Sequence, residues 1–541
     1  MHSQLISLLF VLLALGCGGS DSEKATEPPE LEIDADGDGD GDGDGDGDDD
    51  GDGNADGDGD GILKSEDCDD EDPDIGAISM DADCDGVTTS NDCNDDDSSL
   101  LELGDCDGDG VSTSEDCDDT DPSTYPGAPD TIDGIDHDCD GYDGTYCVGD
   151  YIWYSDGVIG CEYIEGNLDL NGAAHSEWWR IQGVYSIGGN LKITSTGFRN
   201  LSGLDQLTSV GGDLVVKRNP DLASLNSLIS METIGGNIVI ENNETLENLD
   251  GLDNLLTTSE TNLDVVTNPA LTNLNALGRM NALGNLTVYD NPSLTDLDGL
   301  GDLTSAADLV ISHNVSLTSL EGLSKLTSVG NVRIGSNESL ISLAGLEQLT
   351  SVDNLEIWDS SLTALSGLSS LHTIQGILRI SGPTSFQTLA GLESLVSIEG
   401  RVDFESTDLE TLTGLESLTS ISGSLRIDGN NSLLNLNGLE SLRSIGADLT
   451  LGRTADSGGN DALLNLDGLS ALETVGGEIE IGSNSDLTSI DGLYGLTDLG
   501  GEVSMYHNTT LCQSDIDALI SYWESLELPV ALGSSYGNAD C

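Results

Sequence analysis

Basic and aromatic side chains are scarce in this sequence, and the scarcity excludes several function classes. Fifteen Lys and Arg stand against 101 Asp and Glu, for a formal net charge of −86, and Phe, Trp and Tyr make up 4% of the 541 residues. Residues 34–143 hold 43 of the acids and one basic residue, Lys64. Nucleic acid and anionic lipid are therefore excluded as partners of that segment. From residue 144 onward 53 acids face 13 Lys and Arg. Solubility is the simplest reason for that excess, with a saline habitat or a cationic ligand as alternatives. There are six histidines, His2, His137, His175, His313, His372 and His507. None belongs to an HExxH pattern or pairs with a nucleophile motif, and neither a phosphate loop nor G-x-S-x-G occurs, so the chain reads as non-catalytic. Beyond the first 16 residues no apolar run is long enough to cross a bilayer. Cysteine is absent between Cys161 and Cys512.

What the sequence has in abundance is repetition. A unit of about 23 residues recurs from Leu168 to Met505 and can be counted by the first apolar residue of a short strand-like run. These residues are Leu168, Leu191, Leu214, Ile238, Leu263, Leu286, Leu309, Val332, Leu355, Leu378, Val402, Leu425, Leu449, Ile479 and Val503. The steps are 23 to 25 residues, with one of 30 between Leu449 and Ile479. Each copy opens with a β-branched, alternating run such as Leu309-Val310-Ile311, which predicts a strand. It continues with apolar residues at every third position, as in Leu317, Leu320, Leu323, Leu326 and Val329. A period of three fits a coil that turns a corner every few residues with one side chain inward at each. Glycine pairs such as Gly211-Gly212 and Gly235-Gly236 are expected to supply tight turns before the strand. The fold expected is mainly β: a parallel solenoid of about fifteen coils, on the order of 70 Å long at the usual strand spacing.

An asparagine often stands five residues on from the counted position, as at Asn219, Asn243, Asn268, Asn291, Asn314, Asn337, Asn430, Asn484 and Asn508, with Asn460 in the long copy. Stacked coils place these amides above one another, where they satisfy each other and the turn backbone. They read as ladder residues, not ligands. Open ends of a solenoid are an aggregation hazard, and both ends carry devices against it. At the C-terminus Ser514 and Asp517 form a capping-box pattern, and Ile516, Leu519, Ile520 and Trp523 make one helical face. At the front, residues 146–163 are aromatic. Trp178-Trp179-Arg180 is read as cap packing, with a stacking site for sugar or peptide as the alternative.

The template G-G-x-L-x-I-x-x-N-x-x-L-x-x-L-x-G-L-x-x-L-x-x-[VI] resembles the receptor L-domain family over residues 146–541. That resemblance implies a leucine-rich-repeat-like, right-handed parallel β-helix and extracellular recognition or adhesion. It carries over no ligand and no binding residue.

Residues 1–16 form an apolar leader, LISLLFVLLALG at its heart, of signal-peptide length. Ala14-Leu15-Gly16-Cys17 resembles a bacterial lipobox, although the usual order before Gly-Cys is Leu then Ala or Ser. The resemblance implies lipidation at Cys17, and Gly18-Gly19 after it implies the outer membrane. The membrane is then touched through the lipid anchor alone.

Residues 17–55 read as an acidic Asp-Gly linker that cannot bury a core and is disordered without cations. Over residues 56–145 the pattern sharpens into D-x-D-x-D-G-[IV]-x-x-x-x-D-C. One copy has Asp56, Asp58, Asp60, Ile62 and Asp67. The next has Asp81, Asp83, Asp85, Val87 and Asp92, and the third has Asp105, Asp107, Asp109, Val111 and Asp116. Carboxylates at loop positions 1, 3, 5 and 12, glycine at 6 and a carbonyl at 7 suit several Ca²⁺ ions, which take six to eight hard oxygens. A fourth element, Asp136, Asp138 and Asp140, has Cys147 where position 12 should be. No helical period flanks the loops, so they are not EF-hands. They resemble thrombospondin type 3 repeats and, more closely, the metal-binding repeats of bacterial surface lipoproteins, through DCDDxDP, PGA and DGxDxDCDG.

With Cys17 set aside, ten cysteines remain in an exported chain. Their positions suggest local pairing in sequence order: Cys68–Cys84, Cys93–Cys106, Cys117–Cys139, Cys147–Cys161 and Cys512–Cys541. The whole reads as a surface lipoprotein with a calcium-stiffened stalk and a solenoid that binds an unknown protein or glycan. The alternatives are a metal-sequestering surface protein and a structural spacer of the outer layer.

Overall fold

The structure is a computed structural model that describes residues 59, 61–69, 71, 77–79, 81–84, 105–112, 115–118, 120–130, 135–139, 144–152, 160–452 and 458–541. By contacts the chain divides into two units, residues 1–90 with 95–101, and residues 91–94 with 102–541. In the larger unit the repeat forms a parallel β-solenoid. Each counted residue is the direct partner of the next, from Leu168↔Leu191 to Ile479↔Val503. The 30-residue step keeps this register, Leu449 pairing with Ile479, because its extra residues lie between Leu451 and Asn460.

The two apolar rhythms of the repeat have distinct structural roles. In the strand Leu214–Lys217, Leu214 and Val216 are buried while Val215 and Lys217 face outward. The period-three run turns through a short 3₁₀ segment, Glu321–Leu323 in one copy, and buries Leu317, Leu320, Leu323, Leu326 and Val329. Each coil then closes with a second short strand, such as Ser209–Val210, that stacks on its counterpart in the next coil. Between residues 282 and 335 the two strands fuse into eight-residue strands, Ala282–Tyr289, Ser305–Ser312 and Ser328–Gly335. The result is one continuous core from Cys161 to Trp523, almost wholly Leu, Ile and Val.

The asparagine ladder is present. Asn314 is fully buried. Its Oδ1 accepts from the Asn291 N–H at 3.0 Å, and its Nδ2 donates to the Val288 carbonyl at 2.9 Å. Among the described side chains the ladder runs from Thr196 to Asn337 and from Thr407 to Asn538. The residue just before each rung except Asn460 takes a left-handed backbone, for example Arg218 at φ 57° and His313 at φ 59°. That conformation costs a non-glycine residue about 1–2 kcal/mol, a strain the rung's hydrogen bonds hold in place.

A second ladder was not anticipated from the sequence. Asp150, Asn167, Asn190, Asp213, Asn237 and Asn262 precede successive strands, and each side-chain oxygen accepts from the next coil's backbone N–H, at 2.6 to 3.1 Å. Its bonds point opposite to those of the first ladder. Two expectations are corrected. Gly211 and Gly235 do not have positive φ; a Cβ on Gly211 would lie 2.2 Å from the Gly188 carbonyl oxygen, and one on Gly235 2.2 Å from that of Gly211. Glycine is needed there for close stacking of coils, not for a turn. The capping box is also absent: the helix Gln513–Ser525 begins after Cys512 with no side-chain cap, so Ser514 lies inside it. Its start is fixed instead by the Gln513 N–H donating to the Ala539 carbonyl at 2.9 Å, beside the Cys512–Cys541 disulfide.

The helix buries Ile516, Leu519, Ile520 and Trp523 on the core. The chain then returns to add one more parallel strand, Ala531–Tyr536, and Asn538 supplies a final rung. At the front Tyr151–Ile152 pairs with Leu168–Asp169, and Cys147–Cys161 closes the first coil. Asp150 there is held below the ordinary carboxylate value by bonds from the Asn167 backbone N–H at 2.8 Å and side-chain amide at 2.7 Å.

Candidate metal centres

The acidic loops fold without a hydrophobic core, so their geometry comes from carboxylate-to-backbone bonds, glycine turns and disulfides. The third loop is the most complete among the described residues. Asp105 accepts from the Gly108 N–H at 2.8 Å and the Gly110 N–H at 3.0 Å; Asp107 accepts from Asp109, and Asp109 from Val111. Gly108 and Gly110 have φ of 82° and 100°, which L side chains rarely adopt. These bonds bring carboxylate oxygens of Asp105, Asp107 and Asp109 within 4.8 Å of one another. Asp116, at position 12, accepts from the Asp118 N–H at 3.0 Å.

The spare oxygens carry the chemical information. Oδ2 of Asp107, Asp109 and Asp116 is buried with no hydrogen-bond partner among the described residues, and so is Oδ2 of Asp67, position 12 of the first loop. Burying a carboxylate oxygen without a partner is expensive unless a cation meets it. Each of these four aspartates occupies a ligand position of its loop. The Asp107 carboxyl is raised above its ordinary value, first by desolvation and then by the like charges of Asp109, Asp116 and Asp105, against a lowering bond from the Asp109 N–H.

The fourth element is assembled differently from the sequence expectation. Asp136 and Asp138 come together with Asp130, not with a residue at position 12. The Asp130 side chain is only 1% exposed. It accepts from the His137 N–H at 3.1 Å, lies 3.2 Å from His137 Nδ1, and accepts from the Gly144 N–H. Residues 121–130 fold back on 135–139, with the Tyr125 N–H donating to the His137 carbonyl at 2.7 Å. Asp130 was missed because it precedes the D-x-D run; its signal was the P-G-A-P-D stretch at 126–130, whose two prolines aim the chain back. The Gly144 bond leads directly to the first coil, where the Thr145 N–H donates to Glu162 at 3.1 Å.

Disulfides join Cys68 to Cys84, Cys117 to Cys139, Cys147 to Cys161 and Cys512 to Cys541. Cys106 is also disulfide-bonded. Asp116 lies beside Cys117 and Cys139, but their bridge removes the thiolates as ligands. The donors are thus carboxylate oxygens, with His137 nearby. Among residues marked out by the sequence, Ile62, Asp81 and Asp83 are described, with Asp81 buried. Cys17, Asp56, Asp58, Asp60, Asp85, Val87, Asp92, Cys93 and Asp140 lie outside the described residues. Trp178 packs against the solenoid core, while Trp179 is 50% exposed with the Arg180 guanidinium 6.0 Å from its ring centre.

A family model described as "Putative metal-binding motif" matches residues 67–77 and 116–143. The acidic region carries that metal-binding motif. The match spans the buried Asp67, Asp116 and the whole Asp130 fold-back, and the model's name refers to copper. No curated protein matches the chain. Among solved structures, a leucine-rich repeat protein from Bacteroides ovatus is similar at 14% identity, over 65% of this chain and 88% of that one, with a TM-score of 0.17.

Proposed function

We propose that this is a lipid-anchored surface protein of the outer membrane whose calcium-stiffened acidic arm carries a non-catalytic, right-handed solenoid that recognises a protein or a glycan. The observation that carries the calcium part is the set of buried carboxylate oxygens at ligand positions, on Asp67, Asp107, Asp109 and Asp116, with no protein partner among the described residues. An all-oxygen donor set on a flexible loop suits a hard cation of large coordination number. Copper prefers imidazole and thiolate, and the cysteines of these loops are bridged. In the proposed loaded state Asp105, Asp107, Asp109 and Asp116 hold one ion, and Asp130, Asp136 and Asp138 another. The ion supplies charge neutralisation and shape, not reaction chemistry.

Export is supported by the apolar leader and by disulfides within the loops and caps; anchoring is supported by the ALGC sequence ending at Cys17. Recognition is supported by the long, regular outer sheet of the solenoid. Isothermal titration of the full chain with Ca²⁺, Mg²⁺ and Cu²⁺ tests the metal assignment. A few Ca²⁺ sites that saturate with a gain of ordered structure are expected; many weak sites without ordering would favour metal sequestering instead. Labelled fatty acid should be incorporated at Cys17, and Cys17→Ser should release the protein from membranes; no labelling would end the anchor proposal. Pull-down from surface extracts with the full chain tests recognition, and failure to enrich any partner or glycan would favour a spacer.

A further inference from the structure

Two local features coincide on the outward face of the long sheet around Trp358. The strand Asn354–Ser360 bulges against Leu378–Thr384 between Trp358 and Ser360. The second is the paired residue of the preceding strand, Gly335. A Cβ there would lie 2.2, 2.3 and 2.5 Å from three ring atoms of Trp358. Near-equal distances to Cε2, Cδ2 and Nε1 mean that the indole lies flat over the glycine, which only a missing side chain permits. One face of the ring is thus braced against the sheet. Trp358 lines an open cavity of about 390 Å³.

The walls of that cavity are polar and come from three successive coils. Arg333 stands on one side, Glu356 and Asp359 on the strand of Trp358, and Arg379 on the other side. Arg333 Nε meets Glu356 at 3.1 Å, and Arg379 meets Glu405 at 3.3 Å. Both guanidiniums are therefore held in place by carboxylates, with further N–H groups directed elsewhere. The local balance, two cations against Glu356, Asp359 and Glu405, is close to neutral within a region where acids outnumber bases by 53 to 13.

We infer that this cavity binds a neutral glycan, with a hexopyranose ring stacked on Trp358 and its hydroxyls held by Arg333, Glu356, Asp359 and Arg379. The inference rests on the recognition reading above and names its ligand class. A braced aromatic face with donors and acceptors around its edge matches a sugar ring, which is apolar on its faces and polar on its rim. An acidic glycan would meet guanidiniums already paired and the negative field of the surrounding solenoid. An apolar peptide would strip water from four charged side chains without replacing their bonds. Trp358 is half-buried, with its outer face open to the cavity, whereas the exposed Trp179 lines none of the described cavities.

The test is an array of neutral and sialylated or sulfated glycans probed with the full chain, followed by titration of the best neutral oligosaccharide. Binding of neutral members is expected, weakened about tenfold or more by Trp358→Ala, partly kept by Trp358→Phe and unchanged by Trp179→Ala. Circular dichroism of each variant should match the parent, since the ring packs outside the core. If Trp358→Ala does lose structure, Arg379→Gln, on the cavity wall, must weaken binding in its place. The inference is overturned if no neutral glycan binds, if acidic glycans bind more tightly, or if neutral binding survives Trp358→Ala unchanged. The last two results would leave the recognition reading standing, and protein capture decides that reading independently of the array.

Discussion

The solenoid and the acidic loops solve the problem of ordering a chain by opposite means. The solenoid buries a leucine in almost every third position of its turns and satisfies the exposed backbone of each coil through two polar ladders. Among the described residues the loops bury almost nothing apolar, Ala128 being the one buried apolar residue there. They bury carboxylate oxygens instead. Each solenoid coil is stabilised by its neighbours, and each loop by its own turns and disulfides and, in the proposed loaded state, by a cation. The difference teaches that negative charge has two structural meanings within one chain: on the solenoid it is a solvated surface, and in the loops it is the core.

Four perturbations should separate the two regions. The largest effect is expected from Leu320→Ala, which opens a cavity in the solenoid core. About 2–5 kcal/mol should be lost in urea unfolding, with no change in cation affinity. Next, Asn314→Ala removes the acceptor for the Asn291 N–H and the donor to the Val288 carbonyl. A loss of about 1–3 kcal/mol is expected, and Asn314→Asp should recover little because it cannot donate. Third, Asp107→Asn should weaken cation binding at the third loop while leaving solenoid unfolding within about 0.5 kcal/mol of the parent. A smaller effect is expected from acid, with opposite signs in the two regions. Asp107 is raised, so protons compete with the cation from a higher pH than at an ordinary aspartate. Cation affinity should fall as pH drops through that raised value, while the metal-free loop loses the proton's contribution as pH rises through it. Asp150 is lowered by Asn167, so its contribution to the first coil is full above the ordinary value and is lost as pH falls through the lowered one. NMR titration of the two backbone regions reads both signs.

What was legible in the sequence follows from repetition. Strand positions from Leu168 to Val503 were readable because a misplaced residue in one copy is outvoted by the others, and the buried asparagines were readable for the same reason. The second ladder was overlooked because Asp150, Asn167 and Asp213 sit among polar turn residues, where Asn and Asp are expected anyway. Leu532 escaped the count because a bulge between Val503 and Met505 places Asn538 six residues after it, and the helix interrupts the period. The glycine pairs were placed correctly but explained wrongly, since contact between coils is a property of the stack and not of one turn. Asp130 was invisible to spacing rules because it reaches its partners by a fold-back set by Pro126 and Pro129.

The central claim is that the solenoid stands on its own core while the acidic loops depend on their cation. Hydrogen exchange by mass spectrometry on the full chain, with saturating Ca²⁺ and then with EDTA, tests it most directly. Chelation is expected to speed exchange across residues 105–139 and to leave the strands from Leu168 to Tyr506 as protected as before. Concerted loss of protection along the solenoid, or unchanged protection in the loops, would contradict it.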